Sequence, residues 1–266
     1  MDLKDYKITV DNLTIYYRIA GDPKKQTLIF LHGWAARKQG LWGNDKVIIE
    51  LAKYFYVIAP EHPGLIRSEA PKTIWNYKDY ANLLDKLLLK LNVKQFIIMG
   101  QSWGGGLASV YSFNYPSKVK TLIIVDGILG PKIKSWYSDL SNFLPYYSRL
   151  LGSRFTPKIL KKLAINLYFG TPFENINENV VKEKILMTKL ALNNLNDPNR
   201  VGIDYTKLKA PLVLVWGDKD TYVCPIDRAR EIHKKVENSK LVVVKGGHTI
   251  LYQNPKYVVS ELVNSL

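Results

Sequence analysis

The chain has 266 residues, 38 Lys and Arg against 23 Asp and Glu, a formal net charge of +15, and one cysteine. This length suits one large α/β domain with room for an insertion, and the core it can bury needs no covalent staple; Cys224 alone excludes an internal disulfide and fits a reducing compartment. The positive charge is dispersed in pairs such as Lys24-Lys25, Lys161-Lys162 and Lys234-Lys235, without an arginine-rich run, so it reads as solvated helix faces and not as a specific nucleic-acid surface.

Residues 1–7 lack the apolar core of a signal peptide, and no apolar run reaches membrane-spanning length. The expectation is a soluble cytoplasmic protein with no membrane partner. Residues 7–12 and 13–19 read as two strands joined at Asp11-Asn12, an antiparallel hairpin. Thr27–Leu31 is a continuous apolar run, the mark of a strand buried on both faces, and it leads into His32-Gly33-Trp34. A short amphipathic helix over 45–53 precedes a second buried strand, Tyr56–Ala59, which ends at Pro60-Glu61-His62-Pro63-Gly64. The spacing of Tyr80, Leu83, Leu84, Leu87, Leu88 and Leu91 predicts a helix over 77–91. Gln95–Met99 is the next strand, followed by Gly100-Gln101-Ser102-Trp103-Gly104 and a helix through Leu107–Tyr111. Val119–Val125 is another strand.

Strands alternating with helices predict a mostly parallel, doubly wound sheet. The alternation stops between about Ile128 and Lys209, where helical stretches near 134–150, 157–168 and 177–195 take over. It resumes with strands at Pro211–Trp216 and Leu241–Val244, a helix at 226–236 between them, and a last helix from Pro255 to Leu266. The expected division is a core of residues 1–127 and 210–266 with a helical cap over 128–209.

Strand, Gly-x-Ser-x-Gly, helix is the arrangement of a sharp turn that presents a serine at a strand end. Gly100 and Gly104 belong there because a Cβ at either place would crowd the turn. A serine hydroxyl is a weak nucleophile and needs a base, and the base needs an orienting acid. With the order Ser, acid, His, the histidines His32 and His62 precede Ser102 and drop out, and His233 lies in a charged helix. His248, behind Gly246-Gly247 after the last strand, is the candidate base. Asp220, in Trp216-Gly217-Asp218-Lys219-Asp220, is the preferred acid, with Asp218 as a turn former and Asp126 as a second place from which a carboxylate can reach His248. The backbone N–H groups of Trp103 and Trp34 are the candidate oxyanion donors, and both indoles are open to either core packing or pocket lining. There is no phosphate loop and no His/Cys cluster at zinc spacing, so neither a cofactor nor a metal is expected.

Leu31-His32-Gly33-Trp34, the Pro63-Gly64 to Ser68 loop, Gly100–Gly105, Trp216–Asp220 and Gly247-His248 together resemble the α/β-hydrolase superfamily over essentially the whole chain. The resemblance implies Ser102 as nucleophile, Asp220 as acid, His248 as base, an oxyanion hole from Trp34 and Trp103, and a substrate-selecting cap. In two places the chain departs from that pattern: Glu61-His62 stands where the loop usually begins with Asp, and Ile66 where a Gly is usual. The expected activity is hydrolysis of a small or medium carboxylic ester, a small-molecule substrate. The rivals are carbon–carbon hydrolysis of ring-cleavage products, lyase or acyltransferase chemistry on the same three residues, and a non-enzymatic binding protein on this fold.

Overall fold

The computed structural model describes residues 2–34, 40–130, 149–169, 173–196, 201–221 and 224–266. Its strands are β1 (Lys4–Val10), β2 (Leu13–Ala20), β3 (Thr27–Leu31), β4 (Tyr56–Pro60), β5 (Phe96–Gln101), β6 (Val119–Val125), β7 (Leu212–Gly217) and β8 (Ser239–Val244). The described helices are α1 (Gly40–Ala52), α2 (Tyr77–Lys90), α3 (Trp103–Asn114), α4 (Lys158–Phe169), α5 (Glu178–Asn196), α6 (Ile226–Lys235), α7 (Ile250–Gln253) and α8 (Pro255–Ser265).

The strands form one sheet in the order β1-β2-β4-β3-β5-β6-β7-β8. β1 pairs antiparallel with β2, and β2 antiparallel with β4. All later pairs are parallel. The hairpin turns at Asp11 and Asn12 with φ of 48° and 63°, a left-handed pair that suits the twist of the flanking strands.

The continuous apolar runs divide between two faces with period two. Ile29 and Leu31 of β3 and Phe96 and Ile98 of β5 join one core with α2, α3 and α6. Leu28, Phe30, Ile97 and Met99 join the opposite core with α1, α7 and α8. A strand covered on both sides has no polar alternation to show. Helix α2 opens with a capping box between Asn76 and Asp79, and it buries Tyr80, Leu83, Leu84, Leu87 and Leu88 of the expected stripe. Among the described residues, no helix is long and apolar enough to cross a membrane.

The start of α1 differs from the expectation: it begins at Gly40 and not at 45. Gly40 and Gly43 read as loop in a sequence, since glycine weakens a helix interior. α3 begins at Trp103, directly behind the serine. Close packing requires its glycines at 104–106. A Cβ on Gly104 would lie 2.2 Å from the Leu31 carbonyl oxygen, and one on Gly106 would lie 2.8 Å from the Tyr77 hydroxyl.

The stretch between β6 and β7 contributes α4 and α5 near the two later helices expected there, and the expected helix at 134–150 falls almost wholly outside the described residues. Leu151, Ile165 and Ile176 bury themselves against Leu65 of the 60–68 loop, with Trp34 and Ile66 at the margin. Ile66 has φ of +58°, a backbone that favours glycine and so accounts for the residue usual at that place. Glu61 is fully buried and accepts from the Arg67 main-chain N–H at 3.1 Å and its Nε–H at 2.9 Å, so the shifted carboxylate is paired.

The packing of α3 gives a direct test. Gly104→Ala should cost on the order of 3 kcal/mol, because the obstacle is a backbone oxygen that cannot turn aside. Gly152→Ala, where nothing lies within 4 Å of the new methyl, should be neutral or slightly stabilising. Urea unfolding midpoints of the two variants beside the parent make the comparison.

Candidate active site

The carboxyl ends of β3, β5, β7 and β8 converge on one rim of the sheet, where ligands bind in open α/β folds. Ser102 lies between β5 and α3 with φ of +53° and ψ of −117°. A side chain in that backbone region is strained by about 1–2 kcal/mol. Hydrogen bonds hold it there. The Ser102 N–H donates to Val125 O at 3.0 Å, and its carbonyl accepts from the N–H groups of Gly105 and Ile128, each at 3.0 Å. A Cβ at Gly100 would lie 2.1 Å from Gly104 O, so the turn closes only with glycine there.

His248 Nε2 lies 2.9 Å from Ser102 Oγ, and His248 Nδ1 lies 2.7 Å from Asp220 Oδ2. The carboxylate therefore fixes the tautomer: Nδ1 carries the proton, and Nε2 is free to accept one from the serine. Asp220 is buried, and its other oxygen accepts the Cys224 N–H at 3.2 Å. The structure thus brings Ser102, His248 and Asp220 into one hydrogen-bonded row.

The two other acids do different things. Asp218 accepts the Gly246 N–H at 2.9 Å, which ties its turn to the loop that carries His248. Asp126, fully buried at the end of β6, accepts the Gly217 N–H at 2.8 Å through Oδ1, while its Oδ2 is buried without a hydrogen-bond partner. Burial, with the Asp220 charge as a smaller influence in the same direction, pushes its carboxyl up to about 8, so it is protonated at neutral pH.

On the β3 side, His32 Nδ1–H donates to the Gly33 carbonyl at 2.6 Å, and His62 Nε2–H donates to the His32 carbonyl at 2.9 Å. Both rings are buried and neutral. Burial lowers His32 to about 4, and burial followed by its histidine neighbour lowers His62 well below the usual range. The Gly33 carbonyl and the Trp34 N–H share one planar trans peptide and point in opposite directions. By pinning the carbonyl, His32 sets the direction of that candidate oxyanion donor. The Trp103 N–H is the first of α3, where a helix leaves its donors without internal acceptors. The Trp103 indole is fully buried, stacked on Tyr77 at 5.0 Å and edge-on to Tyr80, His62 and Trp34. Of the two uses open to it, the indole takes core packing; Trp34 is half-buried beside it.

His233 is exposed on α6 and bonds to Ser239 Oγ, away from this rim. Among the described residues, Asp220, Cys224 and His248 are the group whose spacing could hold a metal ion, with ligand atoms within 4.8 Å of one another. Asp220 and His248 already engage each other there, the arrangement of a proton relay. The histidine pair and Asp126's hold on Gly217 escaped the sequence reading, because each links loops far apart in the chain.

Residues 26–255 match the family model of the alpha/beta hydrolase fold, and the chain belongs to that family of enzymes. It is 27% identical to monoacylglycerol lipase ABHD6 of Rattus norvegicus over 94% of this chain and 78% of that one. It is 23% identical to the uncharacterized hydrolase YugF of Bacillus subtilis (strain 168) over 97% and 96% of the two chains. Among solved structures, 2-hydroxy-6-oxo-6-phenylhexa-2,4-dienoate hydrolase from Rhodococcus sp. strain RHA1 superposes with a TM-score of 0.74 at 18% identity, covering 99% of this chain and 98% of that one, a likeness of fold.

Asp126 gives a pH prediction. Its folded pKa lies above the unfolded one, so the folded state holds a proton that the unfolded state releases, and stability from this group falls as pH rises from 3.8 to about 8. His32 has the opposite sign: its stabilisation is lost as pH falls from 6.5 to about 4. Between pH 6.5 and 8 the parent should therefore lose stability through Asp126, and Asp126→Asn, which keeps the acceptor for Gly217, should not. Denaturant melts across that range check it; parallel curves for the two proteins exclude the assignment.

Proposed function

We propose that the protein is a serine hydrolase that cleaves small or medium carboxylic esters through an acyl-enzyme on Ser102. The observation that carries this is the row Ser102 Oγ, His248, Asp220, with spacings of 2.9 and 2.7 Å. As Ser102 Oγ attacks the ester carbonyl, its proton passes to His248 Nε2. Asp220 holds the Nδ1–H and stabilises the imidazolium that forms. The negative charge on the former carbonyl oxygen is met by the N–H groups of Trp34 and Trp103, donors set in place before the reaction. His248 then protonates the departing alkoxide. Water, deprotonated by the same ring, releases the acid and restores Ser102.

The class of substrate is supported by the likeness to a monoacylglycerol lipase, an ester hydrolase by name. The 128–209 segment acts as the cap in this reading. Its buried Leu151, Ile165 and Ile176 rest on Leu65, with Trp34 packed against the same cluster, so its docking bears on the residue that supplies a candidate oxyanion donor.

Ser102→Ala should abolish ester hydrolysis and labelling by a fluorophosphonate while leaving the fold intact. Asp220→Asn should lower kcat by on the order of 10⁴, since an amide favours the wrong histidine tautomer. Asp126→Asn should cost little by comparison. Turnover of p-nitrophenyl esters of graded acyl length, with a ring-cleavage dienoate alongside, measures all three variants. If Asp126→Asn is the crippling change, or the dienoate is the better substrate of the parent, the reading is wrong.

A further inference from the structure

The geometry points to Gln101 and Tyr252 as a positioning pair that locks the oxyanion loop and the histidine loop onto the serine turn; their role in turnover rests on the hydrolase reading above. Gln101 ends β5 immediately before Ser102, and it is 2% exposed. Its amide works in two directions. Nε2–H donates to the main-chain carbonyl of His248 at 3.1 Å, and Oε1 accepts the Tyr252 hydroxyl at 3.2 Å. The same hydroxyl accepts the Gly33 N–H at 3.3 Å. The path Gly33 N–H to Tyr252 O–H to Gln101 C=O has one sense, and the opposite end of the amide finishes on His248.

These main-chain points belong to the loops after β3 and β8, while the amide itself belongs to the residue before the nucleophile. The linked positions lie up to 219 residues apart in sequence, so local structure cannot hold them in register. Contact reinforces the bonds: a Cβ on Gly33 would lie 2.3 Å from Gln101 Oε1, so the loop backbone is pressed onto the amide. Gly33 is thereby held on both sides, its carbonyl by His32 and its N–H by Tyr252. Neither Gln101 nor Tyr252 has a chemical step in the mechanism. Their effect is that a shift in one loop reaches the other two, and a misplacement of about 1 Å at such a site can cost 10²-fold in rate.

Tyr252→Phe removes the one hydroxyl and leaves the ring's packing. Gln101→Met keeps the length and removes both ends of the amide. The expected results are a kcat lowered about 10-fold in Tyr252→Phe and nearer 10²-fold in Gln101→Met, with KM within about twofold. The fraction of enzyme titrated by a fluorophosphonate should match the parent, which separates misalignment from loss of folded protein. The double variant should fall no further than Gln101→Met alone, because both changes break one path. Losses that multiply, a kcat unchanged in both single variants, or a fall explained by the titrated fraction would overturn the proposal. Amide exchange of Gly33 is read in the same proteins and needs no activity. It should speed up in Tyr252→Phe, and an unchanged rate removes the pair whatever the substrate. A parent that is neither labelled nor active, yet shows faster Gly33 exchange in Tyr252→Phe, would instead fault the hydrolase reading and leave the structural pair standing.

Discussion

A serine held at φ of +53° is the constraint on which the rest of this structure depends. A non-glycine residue adopts that backbone only when its surroundings supply more than the strain costs. Here the surroundings are the ends of two strands and the start of a helix: Val125 accepts its N–H, and Gly105 and Ile128 donate to its carbonyl. The glycines at 100 and 104 follow from this, since Leu31, Gly100 and Gly104 meet at distances that leave no space for a methyl group. The turn in turn places the Ser102 hydroxyl at the sheet rim, within hydrogen-bond reach of His248.

The loops around that turn are fixed by polar groups whose protonation is set by burial. His32 and His62 are neutral because an imidazolium there would be desolvated, and their neutral forms supply both the donors and the acceptor of their chain of bonds. Asp126 is neutral for the same reason with the opposite consequence, since burial favours the protonated carboxyl. That difference matters for electrostatics. Of the two buried carboxyls near the β6 and β7 ends, Asp220 is the one that faces the histidine, at 2.7 Å, while Asp126 keeps its proton and serves the Gly217 backbone. Two buried carboxyls therefore divide into the acceptor for the His248 Nδ1–H and the acceptor for a backbone N–H.

The family contributes the frame, and the particular chain adjusts it. Glu61 stands where a shorter acid is usual and keeps its pairing through Arg67. Ile66 stands where glycine is usual, accepts a left-handed backbone, and lies against the cluster that joins the 60–68 loop to α4 and its neighbours. Ile66 lies against the segment expected to select substrate and so bears on how that segment docks, while Glu61 holds Arg67, which reaches Asp5 of β1.

The order of elements, the antiparallel hairpin, the parallel sheet and the Ser102, Asp220 and His248 candidates were legible in the sequence, because each rests on a local signal. Apolar runs of strand length, a Leu stripe at helical spacing, Asp11-Asn12 at a turn, and glycines bracketing a serine are patterns that neighbouring residues impose on one another. What the tertiary structure alone decided is which distant groups meet. That the Asp220 carboxylate meets His248 Nδ1, while Asp126 turns to the Gly217 backbone, depends on where the β6, β7 and β8 ends come together. Trp103 faces the core because α2 and the 60–68 loop close over it. The His32–His62 pair and the Gln101–Tyr252 link join loops separated by tens to hundreds of residues. A hydrogen bond of this kind leaves no period in the sequence, since it depends on where strands end in space and not on how residues follow one another along the chain.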